Sequence, residues 1–118
     1  MEKTILGNDL EICRILNGMW QVAGGHGQID SELAIQDMEK YQELGFTTWD
    51  LADIYGPAES LIGGFSKKTK QNFQAFTKFV PNPGPMSISI VTYYIDESLK
   101  KMNTECIDLL QFHWWDYQ

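Results

Sequence analysis

The chain has 118 residues, with Asp+Glu 16 against Lys+Arg 9 and a formal net charge of −7. That length suits one domain with one modest core. The acidic balance argues against nucleic acid and anionic membrane surfaces as partners, because both require a basic face.

The opening MEKTILGNDL holds no long apolar run, so neither a secretory signal nor a membrane span is expected, and a soluble protein of the reducing cytoplasm is the default. Within it, Thr4 to Leu6 and Leu10 to Ile15 are strand-like runs separated by Gly7, Asn8 and Asp9, which predicts a β-hairpin over residues 1–15. Leu16 to Gln21 follows as the first parallel strand, where Gly18 lets the backbone approach a ligand closely. The Gly24-Gly25-His26-Gly27 loop has neither the lysine of a P-loop nor the spacing of a dinucleotide fingerprint and reads as a plain connection. Asp30 or Ser31 caps a helix whose Ala34, Ile35, Met38 and Tyr41 face the core and which ends at Gly45. Cys13 and Cys106 with His26 and His113 show no ligand spacing, so no metal is expected and the thiols read as free and partly buried.

Phe46 to Trp49 suits a short covered strand, and Asp50 stands where that run ends. After a loop containing Asp53 and Tyr55, Pro57 fits a first helical turn, with Leu61, Ile62 and Phe65 as the apolar face. The Gly63-Gly64 pair predicts that this helix is short and weak. Asp53 and Glu59 read as loop and helix-start residues. Gln74 to Val80 is the third strand, with Lys78 near its end, and Pro81 to Pro85 is a rigid connection. A helix over Ser87 to Met102 places Val91, Ile95, Leu99 and Met102 on one side. Cys106 to Phe112 is apolar enough for a strand covered on both faces and delivers His113 at its end.

This alternation implies parallel strands joined by right-handed crossovers. Asp50, Lys78 and His113 then stand at the carboxyl ends of consecutive strands, with Tyr55 in the loop beside the first, so the four can converge on one mouth. Taken singly, each has an ordinary structural explanation: an ion pair for Asp50 and Lys78, a rim aromatic for Tyr55, a core histidine for His113. Together they favour a catalytic set.

WDLADIYG followed by Glu59 resembles the FDTADxYG…E signature of the aldo-keto reductases. LNGMWQ, FTKF and IDLLQFHWWD resemble that family's first, third and fourth barrel strands in order, and SLKKM resembles the run before the fourth. The resemblance implies an α/β fold of the (β/α)8 TIM-barrel class. Since eight strand–helix units need about 250 residues, it implies a truncated form: an amino-terminal β-hairpin cap (1–15), then a half barrel (16–118) of about four parallel strands and three helices.

Carried over by position, the resemblance implies a catalytic tetrad of Asp50, Tyr55, Lys78 and His113 that reduces a small carbonyl substrate with NADPH. Tyr55 would be the proton donor, Lys78 would stabilise the phenolate left behind, Asp50 would hold Lys78, and His113 would hydrogen-bond the substrate oxygen. Gly18, Met19, Trp20 and Asp50 would line the nicotinamide, with Met19 in place of the more usual threonine. Trp20 and Trp114 would wall the substrate. Most of the NADP contacts would come from later strands, so this chain alone is expected to be weakly active or inactive and to self-associate through open sheet edges. The alternative is a non-catalytic binding or regulatory protein on the same fold, similar to the potassium-channel beta subunits, acting through partner association. A short-chain dehydrogenase is disfavoured, because its early glycine-rich turn and tyrosine-x-x-x-lysine pair are absent.

Overall fold

The computed structural model of the chain describes residues 1–113. Strands β1 (Lys3–Leu6) and β2 (Leu10–Cys13) pair antiparallel, Lys3 opposite Cys13 and Leu6 opposite Leu10. Gly7 supplies the φ of +67° that the turn between them needs. The hairpin is anchored at its end, where Cys13 N–H donates to Thr48 Oγ1 at 2.9 Å and the Cys13 thiol donates to the Gly45 carbonyl at 3.2 Å. Burial works against the Cys13 thiolate, yet donors on Thr47 and Thr48 outweigh it and hold the thiol below its ordinary range. Cys106, read from the sequence as partly buried, is exposed.

Four strands, β3 (Asn17–Gly18), β4 (Thr48–Asp50), β5 (Gln74–Phe79) and β6 (Leu109–Phe112), form one all-parallel sheet in the order β3-β4-β5-β6. Their crossovers are α1 (Ser31–Glu43), α2 (Ala58–Lys68) and α3 (Ile88–Met102). Each outer helix starts at a side-chain cap: the Asp30 carboxylate accepts the Leu33 N–H at 3.0 Å and Ser87 Oγ accepts the Ile90 N–H at 3.3 Å. The helices pack side by side, α1 on α2 and α2 on α3, and the core lies between them and the sheet. Trp49, Leu61, Ile62, Phe65, Ala75 and Met102 are its centre. At about 1.5–3 kcal/mol for each large apolar side chain withdrawn from water, this cluster drives the fold.

Four local expectations are corrected. The β3 strand is only two residues long: the Met19 N–H still donates to the Asp50 carbonyl at 2.9 Å, as the last bond of the parallel ladder, and the chain then winds into one 3₁₀ turn, Trp20–Ala23. The Gly63-Gly64 pair does not break or shorten α2, which runs for 11 residues. A Cβ at Gly63 would land on the Lys101 carbonyl oxygen of α3, and one at Gly64 would come within 2.7 Å of Ile35 Cδ1 of α1, so the two glycines are where α2 meets both neighbours. Tyr41 is half exposed, touching Phe46 and Trp49 by its ring edge. Finally, β6 is not covered on both faces: Leu109 is half-buried while Leu110, Gln111 and Phe112 are exposed. It is the outermost strand, paired only with β5 among the described residues. No helix among these residues is long and apolar enough to cross a membrane.

Candidate active site

A parallel sheet directs all its strand ends one way, so the residues that terminate β4, β5 and β6 share one rim. Asp50 is the last residue of β4 and Lys78 the penultimate residue of β5. The Lys78 ammonium donates to Asp50 Oδ1 at 2.8 Å and to the Leu51 carbonyl at 2.6 Å. The side chains are 12% and 30% exposed respectively, so the pair is sheltered on the lysine side and open on the carboxylate side. Lys78 Nζ also lies 5.2 Å from the centroid of the Tyr55 ring, within cation–π range.

Tyr55 sits in a tight loop, its N–H bonded to the Ala52 carbonyl at 3.0 Å and its own carbonyl accepting the Ala58 N–H at 3.0 Å. Trp20 packs edge-on against it, centroids 5.0 Å apart at 74°, while remaining 55% exposed. The next residue, Gly56, has φ +52°, and a Cβ there would stand 3.0 Å from the Ala23 carbonyl oxygen. The 3₁₀ turn after β3 and the loop after β4 therefore dock against each other at a spacing that a Cβ at residue 56 would crowd, in a left-handed conformation that favours glycine.

The structure thus brings Asp50, Lys78, Tyr55 and Trp20 together. His113 follows β6 directly and its backbone N–H donates to the Phe79 carbonyl at 2.9 Å, which places it on the same rim. Its side chain is exposed and makes no hydrogen bond to the other three among the described residues. Gly18 ends β3 with open space where a Cβ would be. Met19 differs: its side chain is 4% exposed and packs in the core with Ile35, Met38 and Trp49, so any ligand contact at that position falls to its backbone. Trp114 lies outside the described residues.

Two acids that sequence reasoning set aside are tightly engaged. Glu59 is 2% exposed and accepts the Thr77 hydroxyl at 2.7 Å, with Lys101 at 3.7 Å from its second oxygen. The Asp53 carboxylate accepts the Val80 N–H at 3.1 and 3.3 Å, and the Asp53 N–H donates to the Lys78 carbonyl at 3.1 Å. Burial above all, and then the Glu59 charge, raise the Asp53 carboxyl above its ordinary range against the pull of the Val80 and Ile54 N–H groups and Lys101. A signal for Glu59 existed: it lies three residues before Ile62, on the buried face of α2.

A hairpin followed by four parallel strands, helices layered outside and ionisable side chains gathered at the strands' carboxyl ends, defines part of an α/β barrel of the TIM class. Comparison with known proteins names the family within that class. The family model described as Aldo/keto reductase family matches residues 14–118, and the chain belongs to that family. It is 32% identical to 6-dehydroglucose reductase of Agrobacterium fabrum over 96% of this chain and 43% of that protein. A thermostable aldo-keto reductase solved with the inhibitor epalrestat superimposes with a TM-score of 0.83 at 25% identity, covering 99% of this chain and 44% of that one. The aldo-keto reductase of Klebsiella pneumoniae, solved with NADPH, has a TM-score of 0.76 at 19% identity over 98% and 41% of the two chains. The chain thus spans less than half the length of these relatives.

Proposed function

We propose that Asp50, Tyr55, Lys78 and His113 are the proton-handling half of an NADPH-dependent carbonyl reductase site. The observation that carries this reading is the position of the Lys78 ammonium, bonded at once to Asp50 and to the Leu51 carbonyl and held over the Tyr55 ring. A free phenol, with a pKa of about 10, is a reluctant acid at neutral pH. A fixed neighbouring cation stabilises the phenolate as the proton leaves, and Asp50 keeps that cation in place. The loop after β4 holds the Tyr55 ring beside Lys78, so its hydroxyl would give the proton to the carbonyl oxygen, to which His113 at the end of β6 would also donate. Trp20, and Trp114 by sequence, wall an apolar substrate.

The residues present fit one end of the cofactor. Open space at Gly18, the partly exposed Asp50 carboxylate and the backbone at Met19 suit a nicotinamide ring, and the cofactor when bound would supply hydride to the carbonyl carbon. For the phosphates the match fails: the segments 19–30, 51–57 and 80–87 that follow β3, β4 and β5 contain no lysine or arginine. The chain alone is therefore a weak or inactive reductase. A second reading, a non-catalytic protein that acts by association with itself or another chain, is favoured by the β6 strand, uncovered among the described residues, and by the exposed Ile88 and Tyr93.

Fluorescence titration of the purified chain with NADPH, beside Tyr55→Phe, tests the reading. Weak capture unchanged by the substitution, with any trace of NADPH oxidation by an added aldehyde lost, is expected. Aldehyde reduction that survives Tyr55→Phe would overturn it.

A further inference from the structure

Tyr55 is flanked in sequence by the two engaged acids, Asp53 and Glu59, and both reach the same strand. Glu59 holds the hydroxyl of Thr77, the residue before Lys78. The Asp53 N–H holds the carbonyl of Lys78 itself, and the Asp53 carboxylate holds the N–H of Val80, two residues beyond. Side chains alternate along a strand, so Thr77 faces the helix layer where Glu59 is buried and Lys78 faces the opposite side. Glu59 thus holds β5 from the helix side and Asp53 holds it from its β4 edge, and the ammonium is left to Asp50, the Leu51 carbonyl and the Tyr55 ring.

We propose that Asp53 and Glu59 are positioning residues that clamp the Tyr55 loop onto β5 on either side of Lys78 and so fix the distance between phenol and ammonium. The inference rests on the reductase reading for its purpose, though not for its geometry. The tolerance is narrow: Nζ stands 5.2 Å from the ring centroid, and the attraction fades beyond about 6 Å. A slip of the loop by about 1 Å is enough to uncouple the pair, a displacement of the size that disables well-placed reacting groups. Both clamping groups act as acceptors, since the Thr77 hydroxyl and the Val80 N–H donate to them. An asparagine at position 53 keeps an acceptor of the same shape, whereas an alanine keeps none.

The ring current of Tyr55 provides a readout that loss of stability alone does not move. In the 118-residue chain the ε-methylene protons of Lys78 are expected upfield of the other lysines by NMR, and Tyr55→Leu should abolish that shift. Asp53→Ala, checked as folded by far-UV circular dichroism, should collapse the shift, and Asp53→Asn should restore most of it. If Asp53→Ala does not fold, Thr77→Val carries the test: nearly isosteric, it removes the donor to Glu59 and should reduce the shift. A wild-type Lys78 shift in a folded Asp53→Ala chain, or in Thr77→Val where that stands in, would refute the clamp. Aldehyde reduction by the wild-type chain and by Tyr55→Phe separates the two ideas. A shift that collapses in Asp53→Ala while reduction survives Tyr55→Phe keeps the clamp and removes the reductase reading; an unmoved shift with reduction lost on Tyr55→Phe does the reverse.

Discussion

Replacing Gly63 by alanine sets two effects of opposite sign against each other. In an isolated helix the change is favourable by about 1 kcal/mol, since alanine loses less conformational entropy than glycine. In this structure the added methyl lands on the Lys101 carbonyl oxygen of α3, a backbone atom fixed inside a helix, and overpacking of this kind costs about 1–3 kcal/mol, here toward the upper end. Clash exceeds propensity, and Gly63→Ala should destabilise the chain by about 1–2 kcal/mol. For a domain of this size that lowers Tm by roughly 4–8 °C, read by far-UV circular dichroism. Gly64→Ala is the internal control: its methyl meets Ile35 Cδ1 at 2.7 Å, the end of a side chain that can rotate away, so a change within about 0.5 kcal/mol of neutral is expected. A Gly63→Ala chain with a raised Tm would refute the reasoning and return the glycine pair to a mere helix weakness.

Lys78→Met removes the cation from a pair intermediate between surface and buried, and should cost about 1–2 kcal/mol in urea denaturation; an unchanged midpoint would mean that Asp50 does not need its partner. Asp53 gives a pH signature. Its carboxyl is raised in the folded chain, so the stability it contributes is fully present below the unfolded aspartate pKa and is lost as pH rises through the folded value. Relative to Asp53→Asn, the wild-type chain should therefore weaken across the window that opens just above the ordinary aspartate range, and parallel stability curves would contradict the raised carboxyl. Thiol reagents should modify exposed Cys106 at once and buried Cys13 only as the chain unfolds, since access rather than thiolate character limits Cys13. Two equally fast thiols would place Cys13 at the surface.

The order of elements was legible because the signals that set it are local. Alternating apolar runs, the caps at Asp30 and Ser87, and Gly45 after α1 give hairpin, strand and helix without reference to distant contacts. Asp50, Lys78 and His113 were legible as strand-end residues for the same reason, and parallel strands then oblige them to share a rim. What the sequence could not fix was which atoms meet across elements. The Gly63-Gly64 pair looks like weakness until α1 and α3 lie against it. Met19 turns inward to pack with Ile35, Met38 and Trp49 from other elements, and β6 is uncovered because nothing else among the described residues packs beyond it. Glu59 reads as a helix-start acid, yet it is buried because Thr77, 18 residues away, offers it a hydroxyl. Chain order and the identity of the rim residues follow from periodicity, an intrinsic property of the sequence; close approach and the pairing of buried charges depend on tertiary partners, which only the folded chain supplies.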